Sequence, residues 1–111
     1  MKRVISGKVY NTKTADYVCG HKDTHGYEYF HGVVENLYRT SKGALFMCVE
    51  FGTEAAWEHS HLSRWFPRYE FGPHYGQTIF AVLEDWQAKM FIEKFGDADD
   101  FLTCFGEPQE A

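Results

Sequence analysis

Apolar and polar residues alternate loosely over residues 3–10, with Ile5 and Val9 facing one way and Lys8 and Tyr10 the other, which predicts a first strand. Asn11, Thr12, Lys13, Thr14 and Ala15 read as a turn. Residues 27–40 are rich in Tyr, Phe and Val and are broken by Gly32, the pattern of a strand with a bulge or bend. The sharpest local signal is a hairpin: residues 35–40 and 44–51 flank Ser41, Lys42 and Gly43, with glycine where a left-handed backbone is needed. If Thr40 lies opposite Ala44, Leu37 meets Met47 and Glu35 meets Val49. One face then carries Val33, Leu37, Leu45, Met47, Val49 and Phe51, a core face. The other carries Tyr38, Phe46 and Cys48 beside Asn36 and Glu50, and its half-apolar character calls for a covering loop or a binding partner. Residues 78–83 form a last, buried strand.

Helical spacing takes over elsewhere. Residues 53–65 predict a short helix, with Trp57, His61 and Trp65 spaced by four. Residues 66–76, punctuated by Pro67, Gly72, Pro73 and Gly76, predict an ordered but irregular loop. Two short helices close the chain. In the first, Trp86, Met90, Phe91 and Phe95 make an apolar stripe, Asp85 pairs with Lys89 at i,i+4, and Gly96 ends the helix. In the second, Asp97 is the cap, Ala98, Phe101, Leu102 and Phe105 recur at i, i+3, i+4 and i+7, and Gly106, Glu107 and Pro108 stop it. The expected architecture is therefore α+β: a single domain over residues 1–111, with an antiparallel sheet of about four strands and two short C-terminal helices packed against or beside it.

Charge is distributed unevenly over these elements. Residues 84–111 hold 8 acidic and 2 basic side chains, a net of −6 in a chain whose total is −5, whereas residues 1–50 hold 7 Lys/Arg against 5 Asp/Glu. An acidic face of this kind repels nucleic acid and attracts a protein that binds nucleic acid. Asp97, Asp99 and Asp100 crowd one helix start, where capping also accounts for them; capping does not account for Glu84, Glu93, Glu107 and Glu110. Aromatic residues make up 18% of the chain, enough to place some at the surface as interaction anchors. No apolar run is long enough to span a bilayer, residues 1–7 lack the apolar core of a signal peptide, and three cysteines without close spacing fit reduced thiols. A cytoplasmic protein of a bacterial host cell is the expectation.

Candidate chemistry is sparse. Cys19, His21 and His25 give a C-x-H-x3-H spacing in a polar loop, short of the four-ligand set usual for zinc, so no metal or other cofactor is assigned. Phosphate-binding glycine loops, nucleophile elbows and H-E-x-x-H are absent, and Cys48 and Cys104 read as small buried hydrophobes, so an enzyme is not expected. Arg64, Trp65, Phe66, Pro67, Arg68 and Tyr69 interleave arginine with aromatics, a combination that stacks bases; with a pI near 5.6, the same residues serve better as anchors in a protein interface.

Three stretches resemble a family of small, mostly uncharacterised proteins carried by phages and other mobile elements of bacteria. Val9 through Ala15 is similar to that family's strand and Y-(D/N)-T-x-T-A turn, Glu35 through Phe46 to its L-Y-(R/K)-T-x-x-G-x-(F/Y)-F hairpin, and Phe95 through Glu107 to its closing acidic helix. Together they cover about half of the chain in the family's order. The chain departs from the pattern where residues 53–61 replace a glycine-rich segment, where the aromatic loop of residues 64–75 has no counterpart, and at Leu83, where a Ser or Thr cap belongs. The resemblance implies a mixed fold, a mobile-element setting and no known catalytic residues. Small acidic proteins of such elements include anti-CRISPR inhibitors, some of which present carboxylates where an effector expects phosphates.

The expectation is a non-catalytic inhibitor whose partner is a protein complex with a basic nucleic-acid-binding surface, a CRISPR effector foremost, with no direct contact to nucleic acid or membrane. The expected contact residues are Glu84, Glu93, Asp97, Asp99, Asp100 and Glu107, with Trp65, Arg68 and Tyr69 as anchors. Two alternatives stay open: a small metal- or ligand-binding accessory protein centred on Cys19, His21 and His25, and a structural subunit of a phage or mobile element.

Overall fold

The computed structural model describes residues 1–23, 32–52, 57–66 and 78–110. Among the described residues, six strands and two α-helices are arranged in three layers. Strands β1 (Lys2–Ile5) and β2 (Lys8–Asn11) form a separate two-stranded hairpin. Strands β3 (Asp16–Asp23), β4 (Val33–Arg39), β5 (Leu45–Phe51) and β6 (Thr78–Val82) form an antiparallel sheet in that spatial order. Helices α1 (Asp85–Phe95) and α2 (Ala98–Phe105) follow. The mixed architecture, the four-stranded sheet and the two closing helices are those the sequence predicts.

The β4–β5 hairpin has the predicted register, with Leu37 opposite Met47 and Glu35 opposite Val49. Its turn is closed by Thr40 N–H donating to Ala44 O at 2.8 Å, and Gly43 takes φ +90°, which a side chain would disfavour. Thr40 Oγ1 also accepts from Ala44 N–H, so the loop's polar groups are satisfied locally.

Because side chains alternate across a strand, β5 supplies both faces of the sheet. Leu45, Met47, Val49 and Phe51 join Val33, Leu37, Ile79 and Ala81 on one face, packed against Leu62, Ala88, Phe91 and Ile92. Phe46, Cys48 and Phe80 form the other, and β2 covers it through Tyr10, whose ring meets Phe46 edge-to-face at 5.3 Å. The half-apolar second face is therefore a second small core with the N-terminal hairpin as its lid.

Four expectations are corrected. Residues 3–10 do not form one strand: Ser6 and Gly7, at φ 51° and 78°, turn the chain back on itself. Cys19 and His21, expected in a polar loop, lie on the edge strand β3 (Asp16–Asp23); its register slips between Tyr17 and Cys19, and that bulge erases the two-residue period. Residues 57–65 hold two 3-10 turns, Trp57–His59 and His61–Arg64, rather than one α-helix. On α1 the buried residues are Gln87, Ala88, Phe91 and Ile92, while Trp86 and Met90 are 51% and 47% exposed. The predicted stripe is rotated by part of a turn, because Ala88 and Ile92, at i,i+4 on Phe91's side, fit closer to the sheet than an indole. Residues 27–31 of the predicted strand, residues 53–56 of the predicted helix and, but for Phe66, the predicted irregular loop of residues 66–76 lie outside the described residues.

Candidate functional site

The acidic segment becomes two helices because each has a polar start and a glycine end. Glu84 is the N-cap of α1: its N–H donates to Gln87 Oε1 at 2.8 Å, and its Oε2 accepts from Trp86 Nε1 at 2.6 Å. Glu84 thus holds the cap position of α1 while its carboxylate takes the indole N–H of Trp86. Asp97 and Asp100 close a reciprocal box on α2, each side chain accepting the other's backbone N–H at 2.9 Å. Those two carboxylates bind their own helix. Asp99 lends only its carbonyl oxygen, to Thr103 Oγ1, and its carboxylate stands exposed.

The expected contact residues do not fall on one patch. Glu93 and Asp97 line one crevice of about 250 Å³ with Ile92, Gly96, Ala98 and Phe101, and Asp99 and Asp100 follow on the first turn of α2. Glu84 lies nine residues before Glu93, about 14 Å along the helix, bonded to Trp86, whose ring meets Trp65 edge-to-face at 6.3 Å. Glu107 is exposed beyond the far end of α2. Trp65 is half-buried against the core. Arg68 and Tyr69 lie outside the described residues.

None of these carboxylates pairs with a lysine or arginine among the described residues. The predicted Asp85–Lys89 pair is not made; Lys89 Nζ lies 5.0 Å from the Phe105 ring centre. Lys94 turns the other way, 5.4 Å over Phe95 and 3.4 Å from His61 Nε2. The opposite charge gathers elsewhere, since a cleft of about 590 Å³ between β2 and the β4–β5 turn is lined by Lys8 and Lys42 and by no carboxylate.

Of the candidate metal ligands, Cys19 and His21 lie on β3 rather than in a loop, and His25 is outside the described residues. Cys19 is buried in the core, and its thiol is pushed up to about 12, first by burial and then by Asp100, Cys104 and Asp97. Such a thiol yields its proton reluctantly to a metal. His21 stacks on Phe95, with ring centres 4.1 Å apart. Among the described residues no three His, Cys, Asp or Glu side chains converge as a metal site.

One polar centre escapes sequence reasoning. Glu35 is fully buried on the core face of β4, directly across from His21 on β3. Its Oε1 meets His61 Nδ1 at 2.7 Å; its Oε2 accepts from Ser60 Oγ at 3.1 Å and from His61 N–H at 2.9 Å. An ionised carboxylate only accepts and an ammonium only donates, so the imidazole hydrogen sits on Nδ1 and Nε2 accepts from Lys94. A carboxylate orienting an imidazole is also the arrangement behind a catalytic base. Here the outer nitrogen meets an ammonium, not a hydroxyl or thiol, and the rings of Phe91, Phe95 and His21 surround it. The signal was present in part: the hairpin register already placed Glu35 on the core face, where a carboxylate requires a partner.

No family model, curated protein or solved structure matches the chain. No helix among the described residues is long and apolar enough to cross a membrane.

Proposed function

We propose that the protein is a non-catalytic inhibitor of a bacterial defence complex, an anti-CRISPR that presents the acidic surface around the α1–α2 junction to the basic nucleic-acid channel of a CRISPR effector. The observation that carries this reading is the withdrawal of Lys89 and Lys94 onto aromatic rings, which leaves Glu93, Asp97 and Asp99 exposed without a cationic partner among the described residues. Like charges held at one helix junction cost stability, and a cationic partner repays that cost on binding. The alternation of acids and apolar side chains suits a protein surface better than a nucleic acid, which the same charges repel.

The test is target-DNA binding by purified CRISPR effector complexes of several types, with and without the protein, at two salt concentrations. The expected result is loss of DNA binding that weakens as salt rises, and that a Glu93→Lys/Asp99→Lys variant no longer causes. These two positions are chosen because neither side chain caps a helix, so the variant keeps its fold. No effect on any effector type would withdraw the reading.

A further inference from the structure

The exposed ridge of α1 mixes charge with apolar surface in a fixed order. Trp86, Met90 and Glu93 stand at i, i+4 and i+7 and so fall on one line along the helix. Glu84 precedes them at the N-cap and Asp97 follows at the next helix start, so the ridge reads acid, indole, thioether, acid, acid. The lysines on either side of this line are both drawn off it, Lys89 to Phe105 and Lys94 to His61 and Phe95. The indole is held in place rather than free: Trp86 Nε1 donates to Glu84 Oε2 at 2.6 Å, and Trp65 supports its ring from the side at 6.3 Å. An exposed tryptophan fixed in this way loses little rotamer freedom on binding, which is the property of an interface anchor.

We infer that this ridge is a docking site for a basic amphipathic segment of another protein. An apolar side chain of that segment would pack on Trp86 and Met90, and its lysines or arginines would meet Glu84 on one side and Glu93 with Asp97 on the other. The charge order on the ridge sets the occupant: the acids flank the apolar pair, about 14 Å apart along the helix, so the partner carries its cations on both sides of an apolar anchor. This deepens the acidic-face reading and rests on it. It differs in substance, because a pure phosphate mimic needs no apolar pair, and its binding would vanish in high salt.

The experiment uses the full chain and two labelled peptides of about 18 residues: one of lysine and leucine with leucine at helical spacing, and one with serine in place of every leucine. Fluorescence anisotropy measures binding, and the tryptophan emission reports burial of the indole. The lysine–leucine peptide should bind, shift the emission to shorter wavelength and keep part of its affinity in high salt. A Trp86→Ala/Met90→Ala variant should lose about tenfold or more of that affinity. Both side chains are exposed, so circular dichroism of the variant should match the parent. Equal binding of the lysine–serine peptide would overturn the ridge and leave the acidic-face reading in place. Unchanged binding by the double variant, or a blue shift with zwitterionic lipid vesicles and none with the peptide, would overturn it as well. Loss of effector inhibition by an Asp99→Lys variant, at an exposed position outside the ridge, bears on the acidic face alone, so the two ideas fail separately.

Discussion

Glu35 Oε1 lies 2.7 Å from His61 Nδ1, and this contact ties the irregular 57–66 segment to the middle of the sheet. The same carboxylate receives Ser60 Oγ and His61 N–H, so three donors share one buried group. Removing it leaves all three unpaired. Glu35→Ala should cost about 3–5 kcal/mol, the penalty for breaking a buried pair, read as a lower urea midpoint. Glu35→Gln keeps the shape but turns an amide donor toward at least one donor, and should cost about 1–3 kcal/mol. A midpoint unchanged in both variants would mean that the segment is held by Leu62 and Trp65 alone.

That pair also marks how far the sequence could be read. The β4–β5 hairpin was legible because its register is set by a three-residue turn and by the match of Leu37 with Met47, both local. The helices were legible from Gly96 and Asp97, which are stop and start signals in the chain itself. Strand β3 was not, because its bulge and polar composition hide the period, and its identity comes only from pairing with β4. Nor was the outward position of Trp86. Hydrophobicity alone assigned it to the core, whereas the sheet surface under α1 admits Ala88 and Ile92 more closely. His61 meets Glu35 across 26 residues, and no local pattern carries that distance.

The acids at the start of α2 divide by role. Asp97 accepts Asp100 N–H at the cap, so Asp97→Ala should destabilise by about 0.5–2 kcal/mol and increase amide exchange in α2 first. Asp99→Ala removes an exposed carboxylate with no hydrogen bond of its own and should stay within about 0.5 kcal/mol of the parent. Equal losses at the two positions would mean that repulsion among the three aspartates, not capping, sets the stability of this turn.

The N-terminal hairpin is tested through its turn and its core. Ser6 sits at φ 51° ahead of Gly7 at φ 78°, a pair of positive angles that Asn-Gly adopts more readily than Ser-Gly. Ser6→Asn should therefore raise the thermal midpoint, by about 0.5 kcal/mol or more in stability. Phe46, fully buried between Tyr10, Tyr38 and Phe80, should cost about 3–5 kcal/mol when cut to alanine. A much smaller loss would mean that the hairpin does not seal this face.

Alkaline pH should unfold the protein through its thiols. Burial pushes Cys19 up to about 12 and Cys48 up to about 11, from an ordinary value of 9.0. The folded state therefore keeps protons that the unfolded state gives up above pH 9. Stability contributed by these thiols is complete below that point and is lost as pH rises through about 11 and then 12, with a slope near 1.4 kcal/mol per pH unit for each thiol still protonated only in the fold. Urea midpoints measured from about pH 8 to 11 should fall, and Cys19→Ala should flatten the fall even though it leaves a small cavity. Cys104 is also raised by burial, an effect that Arg39 partly offsets, but it is the least buried of the three and should react first with a disulfide reagent under native conditions, ahead of Cys19 and Cys48. Equal labelling of all three thiols, or a midpoint independent of pH over that range, would show that the buried pair titrates as if exposed.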